Sequence, residues 1–216
     1  MAPSRKHDTD RILDAVRALV LAEGPRATSV AAISRASGAP VGTLYHRFGD
    51  RDGIVAAAWL RALERFLAGA LQAAEAPAEN PVAAGGALAA APIAFAASEP
   101  DDARLLLTVR REDLFDRADA AQKARLDELN RPLDAALAAI ARALHGRTDR
   151  RARDAVARAV VDLPTGALRR HLRPDGRPLP PWLAADVAAA ARRLLTPPAG
   201  DQATDQPLRE RRRPGA

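Results

Sequence analysis

Residues 28–55 read TSVAAISRASGAPVGTLYHRFGDRDGIV, and the segment Gly42–Phe48 (GTLYHRF) holds the only tyrosine of the 216-residue sequence. It also holds one of four histidines and one of four phenylalanines, although only 3% of the sequence is aromatic. A buried core explains Leu44 and Phe48, which are four residues apart and share one face of a helix. It does not explain the tyrosine, histidine and arginine between them. These polar side chains predict a surface that binds another molecule.

Two short helices joined by a glycine turn account for this stretch. Ser29 can cap a helix over 30–37, and Gly38 can take the left-handed conformation of a turn before a second helix over 40–48. This is the pattern of a helix-turn-helix, whose second helix enters the DNA major groove. From Gly24 to Phe48 there are three arginines and no acid, which suits phosphate. The alternative is a small helical subdomain whose tyrosine and histidine only cap its core.

The remaining sequence predicts an all-α protein. Ala, Leu and Val dominate the apolar 48%, Ala and Leu are strong helix formers, and no strand-like alternation persists. Hydrophobic periodicity predicts an N-terminal helix ending at Gly24, a long linking helix, and further helices. The linking helix and those after it are expected at about 51–75, 82–98, 101–115, 118–145, 149–171 and 181–195. Pro132 and Pro164 should kink or divide two of them.

These elements divide the chain into four parts. We expect a flexible basic arm over 1–9 and a three-helix helix-turn-helix DNA-binding domain over 10–50. A helical bundle that begins with the long linking helix would span 51–195. Residues 196–216, rich in proline and charge, predict a disordered basic tail.

Composition limits the cellular location of the protein and the kinds of partner and metal site that it can have. The formal net charge of +6 is compatible with a polyanionic partner, although the preference for Arg over Lys also fits GC-rich coding. The absence of cysteine excludes disulfides and thiolate metal sites. We find no apolar run approaching the ~18 residues of a membrane span and no signal-peptide core, so we expect a cytoplasmic protein without membrane association.

No feature of an enzyme is apparent. There is no glycine-rich phosphate loop and no serine elbow. His145 and His171 lack an acid or a second histidine at a supportive helical spacing, so both are expected to be surface residues. We expect no catalytic residues, no cofactor and no metal.

Residues 28–55 resemble the DNA-binding domain of the TetR family of helix-turn-helix transcriptional repressors. The family's usual form is Thr-Val-x-x-Ile-Ala, a turn Ala-Gly-Val, Gly-Thr-Leu-Tyr-x-x-Phe, and then Asn/Ser-Lys-Glu. The matching positions are Ser29, Val30, Ile33, Gly38, Gly42, Thr43, Leu44, Tyr45, His46, Phe48 and Asp50. The resemblance covers roughly residues 10–55. It implies double-stranded operator DNA as a partner, a homodimer, and a helical C-terminal part that binds an unknown small-molecule effector.

The resemblance also implies roles for individual residues. Thr43, Tyr45 and His46 would face the groove, and Arg51 stands where the family usually has a phosphate-binding Lys. Pro40 departs from the family because it offers no side-chain cap, and Val41 could contact a thymine methyl instead of a polar group. The full predicted DNA-binding set is Ser29, Val41, Gly42, Thr43, Tyr45, His46, Arg47 and Arg51.

The C-terminal part gives weaker signals. Large apolar residues among small alanines, with one arginine to orient a ligand, predict a pocket lined by Trp59, Phe66, Phe95, Leu106, Arg110 and Phe115. Two apolar stripes predict a four-helix dimer interface made by Val156, Val160, Leu163, Ala184, Val187 and Ala191. In the alternative for both sets, the residues pack inside a single chain.

The leading hypothesis is a homodimeric, ligand-responsive regulator, a repressor released from its operator when an effector tilts the linking helix. The alternative is a helical protein-interaction or small-molecule-sequestering module that retains the helix-turn-helix as a scaffold. The sequence leaves open the operator, the effector, the genes controlled, the number of dimers per operator, and whether the protein represses or activates.

Overall fold

The computed structural model describes residues 5–74, 78–116, 118–172 and 178–196, with side chains from Thr9 onward. Over these ranges the chain is helical and contains no strand, as the sequence predicts. The first four helices are α1 Arg5–Glu23, α2 Val30–Ser37, α3 Val41–Phe48 and α4 Arg51–Ala73. Seven more follow: α5 Pro81–Ser98, α6 Pro100–Thr108, α7 Arg111–Phe115, α8 Ala120–His145, α9 Arg150–Ala157, α10 Leu163–Arg169 and α11 Leu183–Leu195. A π-helical turn, Arg158–Asp162, joins α9 to α10.

Helices α1 to α3 pack around one apolar core with the start of α4. Its centre consists of fully buried side chains contributed by all four helices: Ile12, Val16, Ile33, Leu44 and Ile54. The same core continues along α4 into α6, α7 and α8, so the N-terminal helices share their interior with the C-terminal bundle. The sequence suggests a domain boundary near residue 50. The hydrophobic core continues across that boundary, although the arrangement of the helices changes there.

The turn between α2 and α3 is held by its own backbone and by serines. Ser29 caps α2 by accepting a hydrogen bond from Ala32 N at 3.2 Å, and Gly38 has φ of +75°. Pro40 precedes α3 without a side-chain cap. Instead, Ser34 Oγ donates to Ala39 O at 2.7 Å, and Ala39 N donates to Ser37 Oγ at 3.2 Å. These bonds fix the turn at the position where the usual cap is missing.

A close backbone approach fixes the junction between α3 and α4. Asp50 caps α4 by accepting from Gly53 N at 2.8 Å. A Cβ on Gly53 would lie 2.0 Å from Phe48 O, which is a backbone atom and cannot rotate away. Gly53 is therefore required by the angle at which the third helix meets the fourth.

Replacement of Gly53 by Ala is expected to lower the free energy of unfolding by about 1–3 kcal/mol, because the added methyl group overpacks the junction. Urea denaturation followed by circular dichroism measures the change. Gly69→Ala is the matched control in the same helix, since a Cβ there meets nothing within 4 Å. It should leave stability unchanged or raise it by up to about 1 kcal/mol. Equal effects of the two substitutions would contradict the close approach at Gly53.

Helix α5 forms the centre of the C-terminal bundle and packs against α4, α6, α8, α10 and α11. Its 18 residues carry no charge, and by length and composition α5 could cross a membrane. That is a weak indication, because a central bundle helix has the same composition. From the sequence, no apolar run of about this length is expected. A Cβ on Gly85 would lie 2.1 Å from Leu195 Cδ1, so the small residues of α5 let α11 approach closely.

Several boundaries differ from the sequence predictions. Helix α1 begins at Arg5, so residues 5–9 are helical where a flexible arm is expected; extending an existing helix costs much less than nucleating one. The helix expected over 101–115 is two helices, because the backbone at Val109 is extended. Helix α8 continues undivided through Pro132. The tail over 197–216 lies outside the described residues.

The helix is irregular just before Pro164. The chain from Arg150 to Arg169 remains helical, but Leu163 N donates to Arg158 O, five residues back, in the π-helical turn just before the proline. Proline lacks an N–H and clashes with the preceding turn of a regular α-helix. The wider π turn accommodates it, so Pro164 alters the helix without ending it.

Candidate DNA-binding surface and effector cavity

Helix α3 exposes the side chains that the sequence assigns to DNA. Val41 is 42% exposed and Tyr45 50% exposed, and His46 is also exposed. Leu44 is fully buried and holds the helix to the core. Val41 and Tyr45 are four residues apart and share one face of α3, which is therefore available to a partner.

The other small members of the predicted set have mixed positions. Gly42 is exposed and has open space around its Cα, which permits close approach of another molecule. Ser29 is exposed at the start of α2, although its hydroxyl oxygen already accepts the capping bond. Thr43 is half-buried.

The two arginines of the set are directed into the domain. Arg47 is half-buried, donates to Thr9 Oγ1 on α1, and stacks on Phe48 with its Cζ 5.5 Å from the ring centroid. Arg51 Nε donates to Thr28 O at 3.0 Å, and its Nη1 pairs with Asp52. Both guanidinium groups join segments of the domain to one another. Their predicted roles in DNA binding stay predictions.

An apolar cavity of about 300 Å³ lies inside the C-terminal bundle. Four of the predicted pocket residues line it, namely Trp59, Phe66, Phe95 and Leu106. Phe115 lies behind the wall, edge-to-face with Trp59 at 5.5 Å between ring centroids, and Arg110 is not in the lining. The remaining lining residues were missed by the sequence reasoning: Leu63, Leu88, Pro92, Ala103, Leu107, Leu133, Val160, Val161, Thr165 and Leu168. They come from six separate segments, so no local pattern could group them.

The cavity wall contains no charged side chain, and the threonine hydroxyl and indole N–H are its only side-chain hydrogen-bonding groups. Adjacent residues Val160 and Val161 both reach the wall from the π-helical turn, and Val161 is 40% exposed. π turns inside helices are frequent at functional sites. The arrangement can bind an apolar molecule through burial of its surface.

A buried ion cluster connects the cavity helices with the N-terminal helix α1. Asp102, in the first turn of α6, is 1% exposed and accepts from Arg17 Nη1 of α1 at 2.5 Å and from Arg65 Nη1 of α4 at 2.9 Å. Burial by itself raises the pKa of Asp102, but the hydrogen bonds and positive charges of Arg17 and Arg65 outweigh burial and lower it. Asp102 therefore remains a carboxylate shared by two arginines.

The sequence gives little warning of this cluster. Asp101 and Asp102 follow a proline, a pattern typical of a helix N-terminus, and nothing local distinguishes the buried carboxylate from the exposed one. The next residue, Ala103, lines the cavity, as do Leu106 and Leu107 one turn later. Helix α6 therefore carries both cavity-lining residues and the carboxylate that holds α1.

The residues predicted for the dimer interface are directed into their own chain. Val156, Val160, Val187 and Ala191 are buried in the core of the C-terminal bundle, whereas Leu163 and Ala184 are half-buried against it. The stripes are thus used to pack these helices against the rest of the bundle, which is the alternative weighed above. The large apolar residues exposed on this part of the described chain are Val161, Trp182 and Leu194.

Comparisons with known proteins agree with this geometry. Residues 12–58 match the family described as "Bacterial regulatory proteins, tetR family". A comparison with curated proteins gave no match. Among solved structures, the TetR-family regulator PfmR from Thermus thermophilus is similar over 86% of this chain and 97% of its own, with 26% identity and a TM-score of 0.59.

Two more distant structures share the fold. A transcriptional regulator from Pseudomonas aeruginosa has 21% identity and a TM-score of 0.64, with 89% of this chain and 92% of its own covered. The regulator FadR from Bacillus subtilis, solved in complex with stearoyl-CoA, has 15% identity and a TM-score of 0.57, with 86% and 97% covered. Similarity therefore extends through both the N-terminal and the C-terminal helices.

Proposed function

We propose that this chain, whose residues 12–58 match the TetR family, is a homodimeric, effector-responsive regulator of transcription that binds double-stranded operator DNA. The observation that carries the proposal is the exposed face of α3, where Val41, Tyr45 and His46 project from a helix anchored by buried Leu44. A recognition helix must present such a face to read bases in the major groove.

We assign base or phosphate contacts to Val41, Gly42, Thr43, Tyr45 and His46, with Ser29 beside a backbone phosphate. Arg47 and Arg51 are assigned to positioning, because their guanidinium groups tie α3 to α1 and α4 to the segment before α2. Within this proposal, residues 10–50 are the DNA-binding domain and residues 51–195 the effector-binding and dimerisation domain. Operator binding would take place in the cytoplasm.

The cavity supports the effector response. It is lined by residues of α4 and α6, and these two helices also hold α1 through Asp102. The B. subtilis FadR structure, which shares this fold, holds stearoyl-CoA, a ligand with a long apolar part. An effector that displaces either helix would move the two α3 helices of a dimer away from half-sites ~34 Å apart, and the operator would be released. We therefore propose that the protein is a repressor that its effector releases from the operator.

Fluorescence anisotropy with the DNA upstream of the protein's own gene tests the proposal. Titration at two salt concentrations, beside scrambled DNA of the same length, separates recognition from charge attraction. We expect the native sequence to bind at least about a thousandfold more tightly than the scrambled one. Equal, salt-sensitive binding to both would instead favour a helical interaction module that retains the helix-turn-helix as scaffold.

The proposed dimer interface uses the outer faces of the last helices. Trp182 is 58% exposed and Leu194 63% exposed, at opposite ends of α11, and Val161 is exposed on the π turn. Burying such side chains against a symmetric copy would remove the largest apolar exposures outside α3 in the described chain. This set replaces the residues expected from the sequence, which are needed inside each chain.

Leu194→Lys is expected to weaken the dimer at least about a hundredfold, because the two-fold axis places the introduced charge in the interface twice. Sedimentation velocity over a concentration series measures the dissociation constant. Ala121→Lys adds the same charge at an exposed position on α8 and should leave the dimer intact. Dimers of equal strength in both variants would place the interface elsewhere.

A further inference from the structure

The wall of the cavity offers nothing that could neutralise a charge. None of its 14 lining side chains is Asp, Glu, Lys, Arg or His. The buried carboxylate of Asp102 is next in sequence to the wall residue Ala103, but it already accepts hydrogen bonds from Arg17 and Arg65. An ionised group inside the cavity would therefore lose its hydration without gaining a counter-ion, which costs far more than the burial of a neutral group.

The cavity is also largely enclosed. Among its 14 lining residues only Val161 is exposed, and the others are buried or half-buried. A molecule that fills the cavity thus buries most of its own surface. It has few positions from which a charged group could stay in water while the rest of the molecule is bound.

The volume limits the size of the ligand. An apolar cavity of ~150 Å³ is large enough to bind one benzene molecule. The cavity of this protein measures about 300 Å³, so at the same packing it holds a molecule about twice the size of benzene, or roughly 12 non-hydrogen atoms. A stearoyl chain alone is longer than this limit.

We propose that the effector is a small, uncharged, mainly hydrocarbon molecule of roughly 12 non-hydrogen atoms, and that the cavity rejects carboxylates, ammonium ions and long acyl chains. The inference rests on the proposed effector response and specifies its ligand. The effector then belongs to another chemical class than the stearoyl-CoA of the B. subtilis FadR structure, which shares only the fold with this chain.

Three ligands with the same ten-carbon chain test the exclusion of charge: decanol, decanoate and decylammonium. Isothermal titration calorimetry of the full chain measures decanol directly and the two ions by competition with it. Near neutral pH each ion should bind at least about a hundredfold more weakly than decanol, because less than about 1% of it is uncharged.

The pH dependence of the two ions should have opposite signs. Lowering the pH by one unit raises the uncharged fraction of decanoic acid about tenfold and lowers that of decylamine about tenfold. If only uncharged molecules enter the cavity, the two affinities change by these factors while that of decanol stays constant. A change in the protein itself would shift all three ligands in the same direction.

Primary alcohols from hexanol to tetradecanol test the size limit. Each added methylene should strengthen binding about fourfold as long as it is buried, up to about decanol, and longer chains should gain nothing. Ala103 has the smallest side chain in the wall, and Ala103→Leu adds three carbon atoms there, so the gain should end near heptanol. Ala121→Leu makes the same change at an exposed position outside the cavity and should keep the wild-type limit.

Equal binding of decanoate and decanol, ion affinities that ignore pH, a gain that continues to tetradecanol, or no binding of any alcohol would each overturn the inference. These measurements use the wild-type chain, so they decide even where Ala103→Leu fails to fold. Specific DNA binding by a protein that ignores every ligand would refute only this ligand class. Decanol binding by a protein without sequence preference on DNA would support the ligand class and refute the proposed function.

Discussion

Replacing Asp102 by Asn is expected to lower the free energy of unfolding by about 3 kcal/mol, because it leaves two arginines around a neutral amide at a buried position. We place the value at the lower end of the range for broken buried ion pairs, since Arg65 retains contact with solvent. Urea denaturation at neutral pH measures it. Asp101→Asn is the matched control: it removes the neighbouring, exposed carboxylate from the same helical turn and should change stability by less than about 0.5 kcal/mol.

The effect of Asp102→Asn should depend on pH. The folded protein holds the pKa of Asp102 below its ordinary value of 3.8, so the carboxylate stabilises the fold above that pH. This contribution is lost as the pH falls through the lowered pKa of the folded state. The difference between wild type and variant should therefore be largest near neutral pH and shrink below pH 3.8. A difference independent of pH down to strong acid would show that Asn disturbs packing instead of charge.

Tyr45→Ala is expected to weaken binding to the operator by about 1–3 kcal/mol per recognition helix, the usual contribution of a side chain that contacts a base. In a dimer the loss occurs twice, so the total is about 2–6 kcal/mol, or roughly thirtyfold to more than a thousandfold in affinity. Half of the Tyr45 surface is exposed, so the fold should lose little stability. Anisotropy titration measures the loss, and denaturation of the same variant checks that the domain is intact.

Tyr45→Phe and His46→Ala identify the kind of contact. The phenylalanine variant keeps the ring and removes the hydroxyl, so a loss close to that of alanine assigns the contact to the hydroxyl group. His46→Ala should also reduce affinity, because its side chain is exposed beside Tyr45 on α3. Wild-type affinity of both alanine variants would mean that this face does not touch DNA.

Asp102 also connects the cavity with the helices around α3. The carboxylate joins α6, which lines the cavity, to α1, which packs against α2 of the helix-turn-helix. Gln122 Nε2 makes a second link by donating to Gly53 O at 3.0 Å, from α8 to the start of α4. Both links contact the helices that position α3. In the proposed mechanism, an effector would alter operator binding by changing contacts of this kind.

The helix-turn-helix could be predicted from the sequence because its determinants are local. Ser29 caps within three residues, Gly38 makes the turn by its own backbone freedom, and Leu44 and Phe48 lie one turn apart. The same is true of the other helices, whose apolar spacing gave their approximate extents. At Pro132 and Pro164 the local signal misled, because the chain stays helical through both prolines, with a π turn before Pro164.

The sequence by itself thus determined the all-α class and the helix-turn-helix, and it predicted the exposure of Tyr45 and His46 on α3. Only the tertiary structure decided the partners of Asp102, the composition of the cavity and the orientation of the apolar stripes on α9 to α11. Arg17 and Asp102 are 85 positions apart, and a stripe fits either an internal core or a dimer interface with the same spacing. The physical reason is that periodicity shows which face of a helix is apolar, whereas the arrangement of all helices decides what covers that face.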